Sequence, residues 1–258
     1  MIIIETPKQS DIVLETINSS NSLDWPIQKR YPGYEKYFLA FHPFLIVKST
    51  GQTVIIPYKH FPSKSEIVKN YDKLSWTDFL KTSGIIGYKE LDDCLAFYHS
   101  ARVVTNKLEF KKLIKITESK NNNIIEAQVD YLPEIIEDSL LTFFIKNGYK
   151  ELYIYDDIYE EKILFEISDL YNQELNDTHC IKIQTPDEKI LVVEDFDQRF
   201  TYFLGDEITI QNLIQSLDLE GFYCDACTTQ AWSYGVIDDD LKVTWDGKNQ
   251  LLVDLKKD

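Results

Sequence analysis

The sequence predicts an α+β protein built on a largely antiparallel sheet, and three observations carry that expectation. Runs of β-branched and aromatic residues follow one another along much of the chain instead of alternating strictly with helical segments. Helical periodicity is concentrated around residues 75–147, with one further helix near 207–218. The 258 residues, 44 % of them apolar, supply enough core for folding and exclude disordered, low-complexity and disulfide-scaffold classes. One globular unit over 1–258 is expected, with a point of subdivision near 118–123.

In chain order, Ile2–Ile4 and Asp11–Ile17 suit short strands or a weak helix, and Asn18 to Asn21 is a polar turn. Trp25-Pro26 through Tyr31-Pro32-Gly33-Tyr34 is aromatic and turn-rich, its X-Pro bonds favouring extended or turn backbone. Tyr37–Val47 and Thr53–Tyr58 read as a hairpin around Ser49–Gln52. Pro43 and Pro57, which donate no ladder hydrogen bond, place those strands at a sheet edge. Ser75-Trp76-Thr77-Asp78 resembles a capping box with Asp in place of Glu, and the helix it opens ends at Gly84. A longer helix starts near Tyr88 with Leu91, Leu95, Tyr98 and Arg102 on one face, and the polar stretch Glu118–Asn123 closes this region.

Pro133 opens the next helix, Ile135, Ile136, Leu140, Phe143 and Phe144 form its apolar face, and Gly148 caps its end. Strands follow at Lys150–Tyr155, Lys162–Ile167, Cys180–Thr185, Lys189–Val193 and Arg199–Leu204. Asp206 caps a helix whose buried stripe is Ile210, Leu213, Ile214 and Leu217. The remainder offers strand-like Gly221–Cys224 and Gln230–Tyr234, then a hairpin of Leu241–Trp245 and Leu251–Leu255.

Charge is unevenly spread. Residues 1–120 hold 17 Lys+Arg against 13 Asp+Glu and residues 121–258 hold 10 against 30, so the halves carry +4 and −20 of a net −16. Such a field repels phosphate backbones, which argues against nucleic acid as a partner, and attracts a basic protein; the same charge also serves plain solubility. The apolar run Tyr37–Val47 is too short and too broken for a bilayer, which needs about 20 residues. Met1-Ile2-Ile3-Ile4-Glu5 lacks a secretory start, and four cysteines make no disulfide framework. A soluble cytoplasmic protein with no membrane partner is expected.

Candidate chemistry is sparse. Cys224-Asp225-Ala226-Cys227 has metal or redox spacing, and His179-Cys180 offers the two further ligands that zinc requires. The competing assignment makes these cysteines small buried side chains, and no cofactor is expected. His42 and His99 could act as bases if a carboxylate faced them, and Cys224 as a nucleophile; packed side chains are the alternative for each. The acidic groups Asp156-Asp157 with Glu160-Glu161, Glu194-Asp195 with Asp197, and Asp238–Asp240 suit solvated turns and lack calcium-loop spacing. Trp25, Tyr31, Tyr34 and Trp232 are candidate binding residues, since aromatics serve interfaces as well as cores. No GxGxxG, Walker, GxSxG or kinase signature occurs.

Several landmarks taken together resemble a known family: His42-Pro43-Phe44, Pro62 with Ser63 to Ile67, Ser75-Trp76-Thr77-Asp78, and Gly87-Tyr88-Lys89-Glu90-Leu91. Phe203-Leu204, Gly221-Phe222-Tyr223-Cys224-Asp225, Thr228 and Trp232 complete the series. In this order they resemble the bacterial family known as domain of unknown function 2711, over about residues 37–235. The resemblance implies a bacterial, cytoplasmic, single-unit protein and transfers no catalytic or binding residue; Cys227 lies outside its pattern.

Three functional classes follow. The leading one is a non-enzymatic, immunity- or adaptor-like protein that binds a basic protein partner through an acidic surface. The second is a hydrolase- or transferase-type enzyme with a site assembled from dispersed residues. The third is a zinc-stabilised domain.

Overall fold

The computed structural model describes residues 2–3, 25–48, 62–100, 124–126, 129, 131–156, 161–171, 181–194, 198–230, 232, 241–245 and 251–255. It has the expected α+β class. The strands are β1 (Ile2–Ile3), β2 (Lys36–Phe41), β3 (Phe44–Val47), β4 (Tyr71–Leu74), β5 (Ile124–Ile125), β6 (Glu151–Asp156), β7 (Glu161–Glu166), β8 (Ile181–Gln184), β9 (Leu191–Glu194), β10 (Phe200–Gly205), β11 (Glu220–Tyr223), β12 (Leu241–Trp245) and β13 (Leu251–Leu255). The helices are α1 (Ile27–Arg30), α2 (Lys64–Asn70), α3 (Trp76–Ser83), α4 (Tyr88–Ser100), α5 (Glu134–Lys146), α6 (Ile167–Leu170) and α7 (Glu207–Leu217). Eight strands form one sheet in the order β1-β11-β2-β10-β9-β8-β6-β7, three form a second in the order β4-β3-β5, and β12 pairs with β13. Among the described residues every pairing is antiparallel except β1 with β11. No helix among them is long and apolar enough to cross a membrane.

The strand period of two divides the large sheet into two faces. Phe38, Ala40, Leu152, Ile154, Ile183, Val192 and Phe203 point to one side, where Leu140, Phe144, Ile210 and Leu213 of α5 and α7 cover them. Leu39, Phe41, Leu191, Val193, Phe200 and Tyr202 point to the other, under Ile27, Trp76, Phe79, Leu91 and Leu95 of α1, α3 and α4. Helices therefore sandwich the centre of the sheet.

Local chemistry explains the helix ends. The Ser75 side chain accepts from Asp78 N at 3.0 Å, and Gly84 ends α3 in the left-handed conformation with φ of 67°. Pro133 precedes α5, and Gly148 follows it with φ of 89°. Asp206 accepts from Thr209 N at 2.9 Å, and the four expected residues of α7 are all buried.

The first expected hairpin has a different form. Tyr37–Val47 is two strands in two sheets, and neither lies at an edge: β2 runs between β11 and β10, and β3 between β4 and β5. Pro43 has no N–H for the ladder and marks the switch between sheets. His42 N makes the last bond of β2, to Arg199 O at 2.8 Å, and His42 O accepts Trp76 Nε1 at 2.7 Å. Thr53–Tyr58 lies outside the described residues, as do Asp11–Ile17, Asn18–Asn21 and Glu118–Asn123. Several elements escape the sequence patterns, the short α1, α6 and β5 as well as β4 and α2. β4 is polar at Asp72 and Lys73, and α2 starts at Ser63, where Glu66 Oε2 accepts from Ser63 N at 2.9 Å. β5 interrupts the helical stretch of 75–147. Gln230 and Trp232 lie in turns, not in a strand.

Candidate functional site

The histidine that ends β2 meets a carboxylate. Register places Thr201 opposite both Ala40 and Glu194, so Thr201 and Glu194 share one face of the sheet. His42 Nε2 lies 2.9 Å from Thr201 Oγ1, which also bonds Glu194 Oε1, and 3.6 Å from that same oxygen. Because the Thr201 hydroxyl donates to the carboxylate, its lone pair accepts from His42 Nε2–H. His42, Thr201 and Glu194 are at most 2 % exposed. Glu194 is thus not in a solvated turn: it continues the inward row of β9. A His–carboxylate pair is chemically able to move a proton, but this one is closed to substrate and instead ties β2, β9 and β10 together.

The other singled-out residues fall in separate places. Cys224 is buried, and burial pushes its thiol well above the ordinary range, with Asp225 adding to the shift. Cys227 is exposed; Asp225 Oδ1 accepts from Cys227 N at 2.9 Å and from Thr228 Oγ1 at 2.8 Å, so the CxxC forms a turn and not a helix start. His179 and Cys180 lie outside the described residues, as does the side chain of His99. Among the described residues no group of three or more metal-type ligands converges. Trp232 is in the core, 5.5 Å from the Phe41 ring and 5.0 Å from Phe222.

Tyr31 and Tyr34 are brought to one surface. Among the described residues, the layer of α1, α3 and α4 covers β11 to β9 and leaves the corresponding face of β8, β6 and β7 partly open. Register aligns Lys182 with Tyr155, Gln184 with Tyr153, and these tyrosines with Lys162 and Leu164. The Lys162 ammonium lies 4.0 Å from the Tyr153 ring centroid and 4.9 Å from that of Tyr155. Tyr155 OH donates to Gln184 Oε1 at 2.6 Å, and Gln184 Nε2 donates to Tyr34 OH at 3.2 Å. Lys182 Nζ is 5.7 Å from the Tyr31 ring, and Arg30 sits over that ring at 5.2 Å. Burial chiefly raises the Tyr34 pKa, so its phenol stays neutral. Trp25 is 45 % exposed with Lys29 Nζ 3.9 Å from its ring. Alternation in β6 and β8 is the sequence signal for Tyr153, Tyr155, Lys182 and Gln184, but only the sheet order sets them beside Tyr31.

Two polar sites went unseen in the sequence. A cleft of about 230 Å³ is lined by Lys73, Ser75, Asp78, Asp218 and Glu220 among apolar neighbours. Its charges are already engaged. Glu220 accepts from Trp76 N at 2.5 Å and Thr77 N at 2.8 Å, Asp78 pairs with Lys81 at 2.7 Å, and Lys73 donates to Leu217 O at 2.9 Å. These are caps at helix ends rather than poised acids and bases. The second site is Glu137, fully buried in the stripe of α5, with Lys64 Nζ at 3.1 Å. Burial raises its pKa to about 7, against the opposing pull of Lys64. Lys64 also pairs with Asp138 at 2.7 Å.

A model of the family described as protein of unknown function (DUF2711) matches residues 24–234. The match begins upstream of the landmarks read from sequence and takes in Trp25, Tyr31 and Tyr34. The chain is also 22 % identical over 214 residues to the uncharacterized protein YwbB of Bacillus subtilis (strain 168), covering 80 % of this chain and 94 % of that protein. No solved structure matches.

Proposed function

The chain belongs to the DUF2711 family of proteins of unknown function, and from its own surface we propose that it acts by binding a protein partner, as immunity or adaptor proteins do, and not by catalysis. The observation that carries this proposal is the preformed face of Tyr31, Tyr34, Tyr153 and Tyr155. Tyrosine offers large contact area at small rotamer cost, with a hydroxyl at its tip. Here the hydrogen bonds through Gln184 hold two of the four in place before any partner arrives. The burial of His42 and Cys224 removes two candidate catalytic groups from contact with a substrate.

The net charge of −16 favours a basic partner at long range, and exposed Glu151, Glu166, Asp187 and Asp206 belong to that field. Lys162 and Lys182 supply local donors to carboxylates. Four cysteines in 258 residues make no disulfide framework, which suits a reducing, cytoplasmic setting.

Affinity capture tests the proposal, with wild type compared with the Tyr153→Ala/Tyr155→Ala variant at low and high salt. A partner lost with the variant and weakened by salt is expected. Equal recovery by both proteins at both salt concentrations overturns it.

A further inference from the structure

At one end of the large sheet lies β7, six residues paired along their whole length with β6 and, on the outer side, with no described strand. Such an edge presents a row of backbone donors and acceptors, and proteins usually blunt it with proline, a bulge, a very short strand or charged side chains. Of these β7 has only the charges, and Lys162 and Glu166 are of opposite sign, so they can pair across a two-fold as well as repel. Its register with β6 is unbroken from Glu151↔Glu166 to Asp156↔Glu161. Ile163 and Leu164 are 45 % and 44 % exposed, and the side chains of Lys162 and Glu166 are exposed as well. At the opposite edge, β1 comprises two described residues.

We infer that β7 is a self-association edge that pairs antiparallel with β7 of a second copy, joining two sheets across a two-fold axis. The sequence of the strand selects the register. A two-fold perpendicular to the sheet keeps each face on its own side, so every residue must oppose one of like parity. Centred on Leu164, the pairing sets Leu164 against its own mate, Ile163 against Phe165 of the second copy, and Lys162 against Glu166 of the second copy. Every residue from 162 to 166 then meets a complementary one. Centred on Ile163, Lys162 would face Leu164, placing charge against apolar surface. Phe165 already packs on the core beneath α5 and α7, so the favoured register extends that core through Ile163 of the second copy.

Sedimentation equilibrium on the full chain tests this. Wild type is expected to reach about 60 kDa, twice the 30.2 kDa of one chain. L164R sets a guanidinium against its symmetry mate on an exposed position and is expected to be monomeric with an unchanged circular dichroism spectrum. Lys162→Glu and Glu166→Lys each put like charges opposite one another twice per dimer, and each weakens association on the order of tenfold or more. The double reversal restores it, an outcome that a general loss of folding does not produce. A wild type that stays monomeric at high concentration, a dimer that survives L164R, or a double reversal no tighter than the single ones overturns the inference.

Discussion

Gly221 is held to glycine by a neighbouring backbone and not by its dihedral angles. In β11 it sits opposite Ala40, and a Cβ built there would lie 1.9 Å from Leu39 O and 2.9 Å from Ala40 Cα. Both atoms belong to the backbone of β2, which is paired on both sides by β11 and β10 and cannot step aside. Gly221→Ala is therefore expected to cost roughly 3 kcal/mol or more, the upper end for overpacking, read as a lower urea midpoint. Glu137 makes a different demand. Its pKa rises from 4.5 unfolded to about 7 folded, so the native state holds a proton that the unfolded chain has released. The stability it contributes is complete below about pH 4.5 and is lost as pH rises through about 7, on the order of 3 kcal/mol in all. Glu137→Gln is expected to flatten that part of the stability–pH curve and to equal or exceed wild type at pH 8 in urea titrations.

Elements are joined in this fold by caps that reach across the chain. α3 opens with Ser75, but its first two backbone N–H groups donate to Glu220, distant in sequence and placed at the start of β11. The carboxylate satisfies orphan donors and faces the positive end of the helix. At the end of α7, Lys73 from β4 does the converse, donating to Leu217 O and Asp218 O at 2.9 and 3.3 Å. Glu220→Gln keeps the shape and removes the charge, and one of the two N–H groups then faces an amide donor. A loss of about 1–2 kcal/mol in thermal or urea unfolding is expected. A result within error of wild type would mean that Ser75 alone sustains the α3 terminus. The same logic governs the break at His42-Pro43: where the chain leaves one sheet for another, Trp76 Nε1 of α3 donates to the His42 carbonyl left over.

At the scale of the whole molecule, both proposed surfaces sit at the β6–β7–β8 end of the sheet, where the α1, α3 and α4 layer stops. A two-fold through Leu164 would set two tyrosine faces side by side on one broad surface, so self-association and partner binding are geometrically compatible. Much of this architecture was legible beforehand. The α+β class, α5, α7, the Ser75 and Asp206 caps and the Gly84 and Gly148 stops depend on near neighbours, within about four residues, and such signals survive in a linear chain. The strand alternation of β6 and β8 was equally plain. What the sequence could not determine is which distant residues become neighbours. It left Glu194 among turn acids, Trp232 open between binding surface and core, and Tyr37–Val47 as one strand. The order of the strands decided those places: it stacked Trp232 on Phe41, set Glu194 beside Thr201 and His42, and lined Tyr31 and Tyr34 up with Tyr155. Pairing order is a property of long-range contacts, whose free energy comes from the burial of whole faces at once, and no local window of residues encodes it.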